Sequence, residues 1–227
     1  MIYDKTFYLI AGPNGSGKST LANELLLEDK HLKSLNADDI AREKNVSVIQ
    51  SGRELIKSLN SVFENRQSFV LETTLSGTFH NNIIARAKNN GYSVVFIYVF
   101  LSSVEQNLAR IRQRVALGGH DVPNDIVRRR YTKSILNFQS VCSQADNWML
   151  YYNGDKFFNM IARGGFDRCE IIDREKYKYF MQIRDKALED NVSRLAHRGA
   201  CRAHQDAALA GVKIEQMKFV PNLAKQK

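Results

Sequence analysis

The chain has 227 residues, 44% hydrophobic and 25% charged, enough for one α/β domain with a sizeable core and a short appendage. No apolar run reaches the roughly 18 to 20 residues of a bilayer crossing, the longest being 92–101, and the N-terminus lacks the charged and apolar regions of a secretory signal. A cytoplasmic protein without membrane contact is therefore expected; the formal charge of +9 favours phosphate-rich ligands, and three scattered cysteines (Cys142, Cys169, Cys201) argue against a disulfide framework or a zinc site.

Residues 6–11 read as an apolar strand, followed by a glycine-rich turn and a helix over 18–27. Residues 32–37 form a second short strand, and 53–65 an amphipathic helix with Leu55, Leu59 and Val62 spaced i, i+4, i+7. A third strand over 69–72 ends in Glu72, and a helix over 79–89 is closed by Gly91. The run 92–101 is too apolar and β-branched for a half-exposed strand and belongs at the centre of a sheet. Ser102 or Ser103 caps a helix with Val104, Leu108, Ile111 and Val115 on one stripe; Gly118-Gly119-His120 interrupts it, and Pro123 restarts a helix to about Gln144. Residues 147–153 make a fifth strand, 169–172 a short one, and 174–197 a long charged helix; beyond Gly199, helical composition over 203–210 precedes an edge strand over 212–220.

This alternation predicts an α/β P-loop kinase fold: a parallel sheet of five or slightly more strands, helices on both faces, and a helical arginine lid. The kinase core spans 1–173 with the lid at 110–131, and 174–227 form a C-terminal helix and basic tail packed on or beside it.

Gly12-Pro13-Asn14-Gly15-Ser16-Gly17-Lys18-Ser19 matches G-x-x-x-x-G-K-[ST], with a strand before it and a helix after it. Glycines let successive backbone N–H groups point inward, and the helix N-terminus adds partial positive charge, so phosphate oxygens fill the nest. ATP is the expected nucleotide, with Lys18 on the β- and γ-phosphates, Ser19 as a ligand of Mg²⁺, and Thr20 beside the α-phosphate. The chain carries no good guanine-binding N-K-x-D signature and no second domain of motor size, which leaves a compact kinase.

Such an enzyme needs a group that takes the proton of the acceptor hydroxyl. Asp38, in Asn36-Ala37-Asp38-Asp39 after the second strand, is the expected base, one strand from the P-loop, while Asp39 is better placed to cap a helix beginning near Ile40. Glu72 stands where the third strand emerges and binds either acceptor hydroxyls or a water of the Mg²⁺ shell; Thr73 and Thr74 beside it supply further donors. Arg110 and Arg114, one helical turn apart, and Arg128, Arg129 and Arg130 after the Gly-Gly-His break form the lid that neutralises the transferring phosphoryl group. His120 touches a phosphate or holds the hinge by a hydrogen bond. Trp148, Tyr151 and Tyr152 read most simply as core or rim packing.

Taken together, Gly12 to Thr20, the Asn-Ala-Asp-Asp-Ile-Ala stretch at 36–41, Glu72 to Gly77, and Arg114 through Gly-Gly-His-Asp-Val-Pro to Arg129-Arg130-Tyr131 resemble the zeta toxin family. The resemblance covers roughly 5–153, and its lid resembles a shorter branch of that family. It implies an ATP-dependent kinase whose best-known relatives phosphorylate the 3′-hydroxyl of the sugar in UDP-N-acetylglucosamine. The acid matching Asp38 is then the base, the acid matching Glu72 binds acceptor, and lid arginines stabilise the moving phosphoryl group. An antitoxin protein is the partner it implies. Two other readings stand beside it: a polynucleotide or nucleoside kinase, suggested by a basic tail suited to nucleic acid, and an ATP-sensing module without catalysis.

Overall fold

Two apolar runs, Lys5–Ala11 (β1) and Tyr92–Phe100 (β4), lie side by side and in parallel at the centre of the structure, with Leu9 opposite Phe96 and Ala11 opposite Tyr98. Both faces of these strands are covered, which is why they carry near-continuous apolar sequence instead of an alternating pattern. The computed structural model describes residues 5–165 and 168–209. In chain order the other elements are α1 (Lys18–Glu28), β2 (Lys33–Leu35), α2 (Ala37–Lys44), α3 (Val48–Glu64), β3 (Phe69–Thr73), α4 (Phe79–Asn89), α5 (Val104–Ala116), α6 (Asn124–Cys142), β5 (Asn147–Tyr152), β6 (Asn159–Gly165), β7 (Cys169–Ile171) and α7 (Arg174–Leu209).

The strands form one seven-stranded sheet in the order β2-β3-β1-β4-β5-β6-β7. The first five are mutually parallel, and β6 and β7 add antiparallel pairs at one edge. The sheet is therefore larger than five strands and mixed. The β5–β6 hairpin escapes a periodicity reading because Asn159–Gly165 is short, mostly half-buried and ends in two glycines. The described residues divide into two compact units, one up to Arg184 and one from Asp185. The strand expected over 212–220 lies outside the described residues.

Phe7, Leu9 and Ala11 point to one side of the sheet and join a core with Leu55, Leu59 and Phe63 of α3, Ile84 of α4, Phe138 of α6 and Phe180 at the start of α7. Ile10 points to the other and meets Ala22 of α1, Leu32, Val70 and Ile97. Phe7 stacks on Phe69 at 4.6 Å between centroids, and Trp148 meets Phe138 edge to face within the core. Each such side chain, once buried, contributes about 1.5–3 kcal/mol.

The topology corrects one sequence expectation that bears on function. β3 lies between β2 and β1, so Asp38 after β2 stands two strands from the P-loop, and Glu72 of β3 is the one-strand neighbour, paired with Ile10. Local starts also differ. α2 begins at Ala37 instead of near Ile40, and its cap is Asn36, whose side-chain oxygen accepts from the Asp38 backbone N–H at 2.9 Å, so Asp39 is not the cap. α3 begins five positions before the expected residue 53, where Ser47 and Gln50 form a reciprocal capping box.

Candidate active site

β1 lies between β3 and β4, and the connection from β1 to β2 runs to one side of it while that from β3 to β4 runs to the other, so its carboxyl end is where an open α/β sheet forms its ligand crevice. The P-loop sits there. Gly12 and Gly15 hold φ values of 147° and 77°, a region that side chains disfavour. A Cβ on Gly12 would overlap the Val99 carbonyl, and one on Gly15 would stand 2.8 Å from the Asn107 carbonyl oxygen, so both positions also need the missing side chain for space. Lys18 opens α1 and donates through Nζ to the Pro13 carbonyl at 2.9 Å, curling over its own loop.

A cavity of about 560 Å³ opens in front of this loop. From the P-loop it is lined by Asn14, Gly15, Gly17, Lys18, Ser19 and Thr20; Gly12, Pro13 and Ser16 lie behind them, forming the back of the turn. Asp38, Glu72, Thr73 and Thr74 line it from the β2 and β3 side, and Arg110, Arg114 and Arg130 from α5 and α6, the helices expected to form the lid. The structure thus brings together most of the residues singled out in the sequence. Three stand apart: Arg128, Arg129 and His120 are exposed and do not line the cavity, and Arg128 pairs with Glu105 at 2.8 Å. The backbone carbonyl of His120 instead accepts from Arg114 Nη2 at 2.7 Å, folding that arginine over the Gly118-Gly119 turn.

Lys18 is the electrostatic centre. Burial lowers its pKa to about 8; Glu72 and Asp38 act against that shift, while Arg114 and Arg130 add to it. One ammonium thus feels two carboxylates and two guanidiniums from four different elements. Glu72 is pushed up by burial, opposed by its hydrogen bond from Ser19 Oγ at 2.8 Å and by Lys18. The Thr73 hydroxyl accepts from the Leu75 N–H at 3.1 Å, and Thr74 shares a hydrogen bond with Ser76 at 2.9 Å, so both hydroxyls also shape the loop after β3.

Several lining residues carry no sequence signal of their own. Val48, Leu55, Leu71 and Phe79 give the β2–β3 side an apolar wall, and His80, 4% exposed, is kept below its usual pKa by burial. Asn107 and Asn153 reach the P-loop from α5 and from the end of β5. α5 and α6 pack on each other through Leu108, Ile111 and Val127, with Val122 of the segment between them.

A phosphate-binding loop at the head of the parallel strands of this sheet, facing carboxylates on one side and arginines on the other, defines a P-loop kinase. The profile of the zeta toxin family matches residues 30–158, and the chain belongs to that family. A Haemophilus influenzae Rd protein described as uncharacterized is 40% identical over 128 residues, covering 53% of this chain and 88% of its own length. Among solved structures, a chain of the AvrRxo1-ORF1:AvrRxo1-ORF2 complex crystallised with ATP superposes with a TM-score of 0.64 at 17% identity, covering 79% of this chain and 63% of that one. The PezAT chromosomal toxin-antitoxin system of Streptococcus pneumoniae gives a TM-score of 0.51 at 13% identity, with 82% and 86% covered. The present chain thus spans less than two thirds of the AvrRxo1 chain, and at these identities the likeness is one of fold. No helix among the described residues is long and apolar enough to cross a membrane.

Proposed function

We propose that the chain transfers the γ-phosphoryl group of ATP to a hydroxyl of a small acceptor, with a UDP-sugar such as UDP-N-acetylglucosamine as the leading candidate. The observation that carries this reading is the single cavity in which Lys18 faces Asp38 and Glu72 on one side and Arg114 and Arg130 on the other. ATP enters with its phosphates against the N–H groups of residues 12–20. The acceptor hydroxyl lies on the β2–β3 side; its oxygen forms a bond to the γ-phosphorus as the bond to the β,γ-bridging oxygen breaks, its proton passes to Asp38, and ADP leaves. Lys18, Arg110, Arg114 and Arg130 neutralise charge on the moving group, and Glu72 with Thr73 and Thr74 holds the acceptor.

Magnesium fits the donor set, since Ser19 Oγ and the Glu72 carboxylate are hard oxygens 2.8 Å apart and Mg²⁺ commonly takes one or two protein oxygens beside phosphate and water. Bound there, it would neutralise phosphate charge. An antitoxin-type protein partner belongs to the same reading, supported by the toxin-antitoxin system among the structures of like fold.

A nucleoside acceptor is the second reading, favoured by the wall of Val48, Leu55, Leu71 and Phe79, to which none of the lining lysines or arginines belongs. Incubation with Mg-ATP and a panel of UDP-sugars, nucleosides and 5′-hydroxyl oligonucleotides, followed by mass spectrometry, tests both. The expected result is phosphate gain on a UDP-sugar, absent with Lys18→Ala; no gain on any acceptor tested would count against phosphotransfer.

A further inference from the structure

We propose that Asn107 and Asn153 are positioning residues that hold the P-loop in its anion-binding shape from outside, so that nucleotide affinity depends on two side-chain amides distant in sequence from the motif. This rests on the reading of the loop as the ATP site.

A loop that turns its N–H groups toward phosphate must turn carbonyls away from it, into protein, where an unpaired carbonyl is costly. Gly17 O is taken up by the Thr20 and Leu21 N–H groups as α1 begins, and three earlier carbonyls of the loop also have donors. Pro13 O receives Lys18 Nζ at 2.9 Å and the Ser16 N–H at 3.2 Å, both from within the motif. Asn14 O receives Asn107 Nδ2 at 2.7 Å, across 93 residues, and Ser16 O receives Asn153 Nδ2 at 2.8 Å, across 137. These two are external, and each comes from an element fixed by other contacts. Asn107 is fully buried in α5, whose Leu108 and Ile111 pack with Val122 and Val127, and the Asn153 N–H donates to Phe100 O at 3.0 Å at the end of the sheet.

The residue type is informative. An amide donates to a carbonyl without adding charge beside Lys18, where a lysine or arginine would further depress the ammonium it needs to leave intact. Asn153 also presents its own carbonyl to Arg110 Nη2, so one residue ties the P-loop to the first lid arginine. Among the described residues, the side-chain oxygens buried without a hydrogen-bond partner are Asn14 Oδ1, Ser16 Oγ and Asn107 Oδ1, all at this junction. Unpaired polar atoms of this kind destabilise a fold, and their confinement to one seam matches a loop shaped for binding at the expense of its own stability.

Without either donor, the loop gains conformations in which a carbonyl turns toward the phosphate, and the competent fraction falls with apparent affinity. Asn153→Ala and Asn107→Ala should each weaken ATP binding on the order of tenfold, the size of one lost hydrogen bond with its carbonyl left unpaired. The turnover number at saturating ATP and the KM for acceptor should stay within about twofold, because chemistry starts from the same bound state. Ser134→Ala, which removes a buried hydrogen bond to Tyr98 away from the site, serves as the control and should lower the melting temperature without changing ATP affinity. Asn153 is only partly buried, so its variant remains informative should Asn107→Ala fail to fold.

Calorimetric titration of ATP into each folded variant reads the result. Wild-type affinity in Asn153→Ala overturns the proposal while leaving the nucleotide site standing. Absence of ATP binding in the wild type overturns the site assignment and this proposal together.

Discussion

Lys18 sits in a pocket where burial outweighs two nearby carboxylates, and its ammonium titrates near 8 instead of at the ordinary lysine value of 10.5. A bound triphosphate favours the charged form and raises that value again. Below about pH 8 the lysine already carries its proton and binding is at full strength. Above it, binding must take up a proton, and affinity falls by up to about tenfold per pH unit until the pKa of the bound state is reached. ATP titrated at pH 7 and pH 9 in buffers of different ionisation enthalpy should therefore show net proton uptake only at the higher pH; a flat affinity with no uptake would show that Lys18 does not meet the phosphates. Ser16 makes a second test at this scale. Its hydroxyl is fully buried without a partner, so Ser16→Ala should leave the melting temperature of the free protein unchanged or raise it, whereas a fall of several degrees would reveal a bond to that oxygen.

At the scale of elements, the proposed acceptor side depends on α2, a two-turn helix with no fully buried residue, held by the half-buried Ala37 and Ile40 and by the Asn36 cap. The cap bonds the backbone of Asp38 itself, so it both starts the helix and sets where that carboxylate begins. Asn36→Ala should cost about 1 kcal/mol, or roughly 2–4 °C in melting temperature for a domain of this size, together with a loss of turnover; differential scanning calorimetry with an unchanged transition would assign the cap no weight. Sequence reading found the P-loop because strand, glycine turn and helix follow one another within a single local pattern. It found α4 at Phe79–Asn89 from a signal equally local, Gly91, which closes it. It missed the start of α3 because Val48 and Ile49 are exposed, so the first turn shows no buried stripe and the signal lies in the Ser47–Gln50 box alone. Asn107 and Asn153 were illegible in principle, since an asparagine whose partner lies 93 or 137 residues away leaves no local mark.

At the scale of the whole molecule, what sequence left open was adjacency. Hydrophobic runs identify strands but not their neighbours, and only the observed order makes Glu72 the immediate neighbour of the P-loop strand, with Asp38 one strand farther out. That order bears on the proposed roles: Glu72, hydrogen-bonded to Ser19, lies between the P-loop strand and the strand that leads to Asp38, and both carboxylates line the one cavity. The most direct measurement is the kinetics of Asp38→Asn with the acceptor that gains phosphate. Nearly isosteric and unable to take the proton, the variant should lose about 10²- to 10⁴-fold in turnover while ATP binds as in the wild type. Turnover retained within a few-fold would contradict the assignment of Asp38 as the base and the division of the cavity built on it.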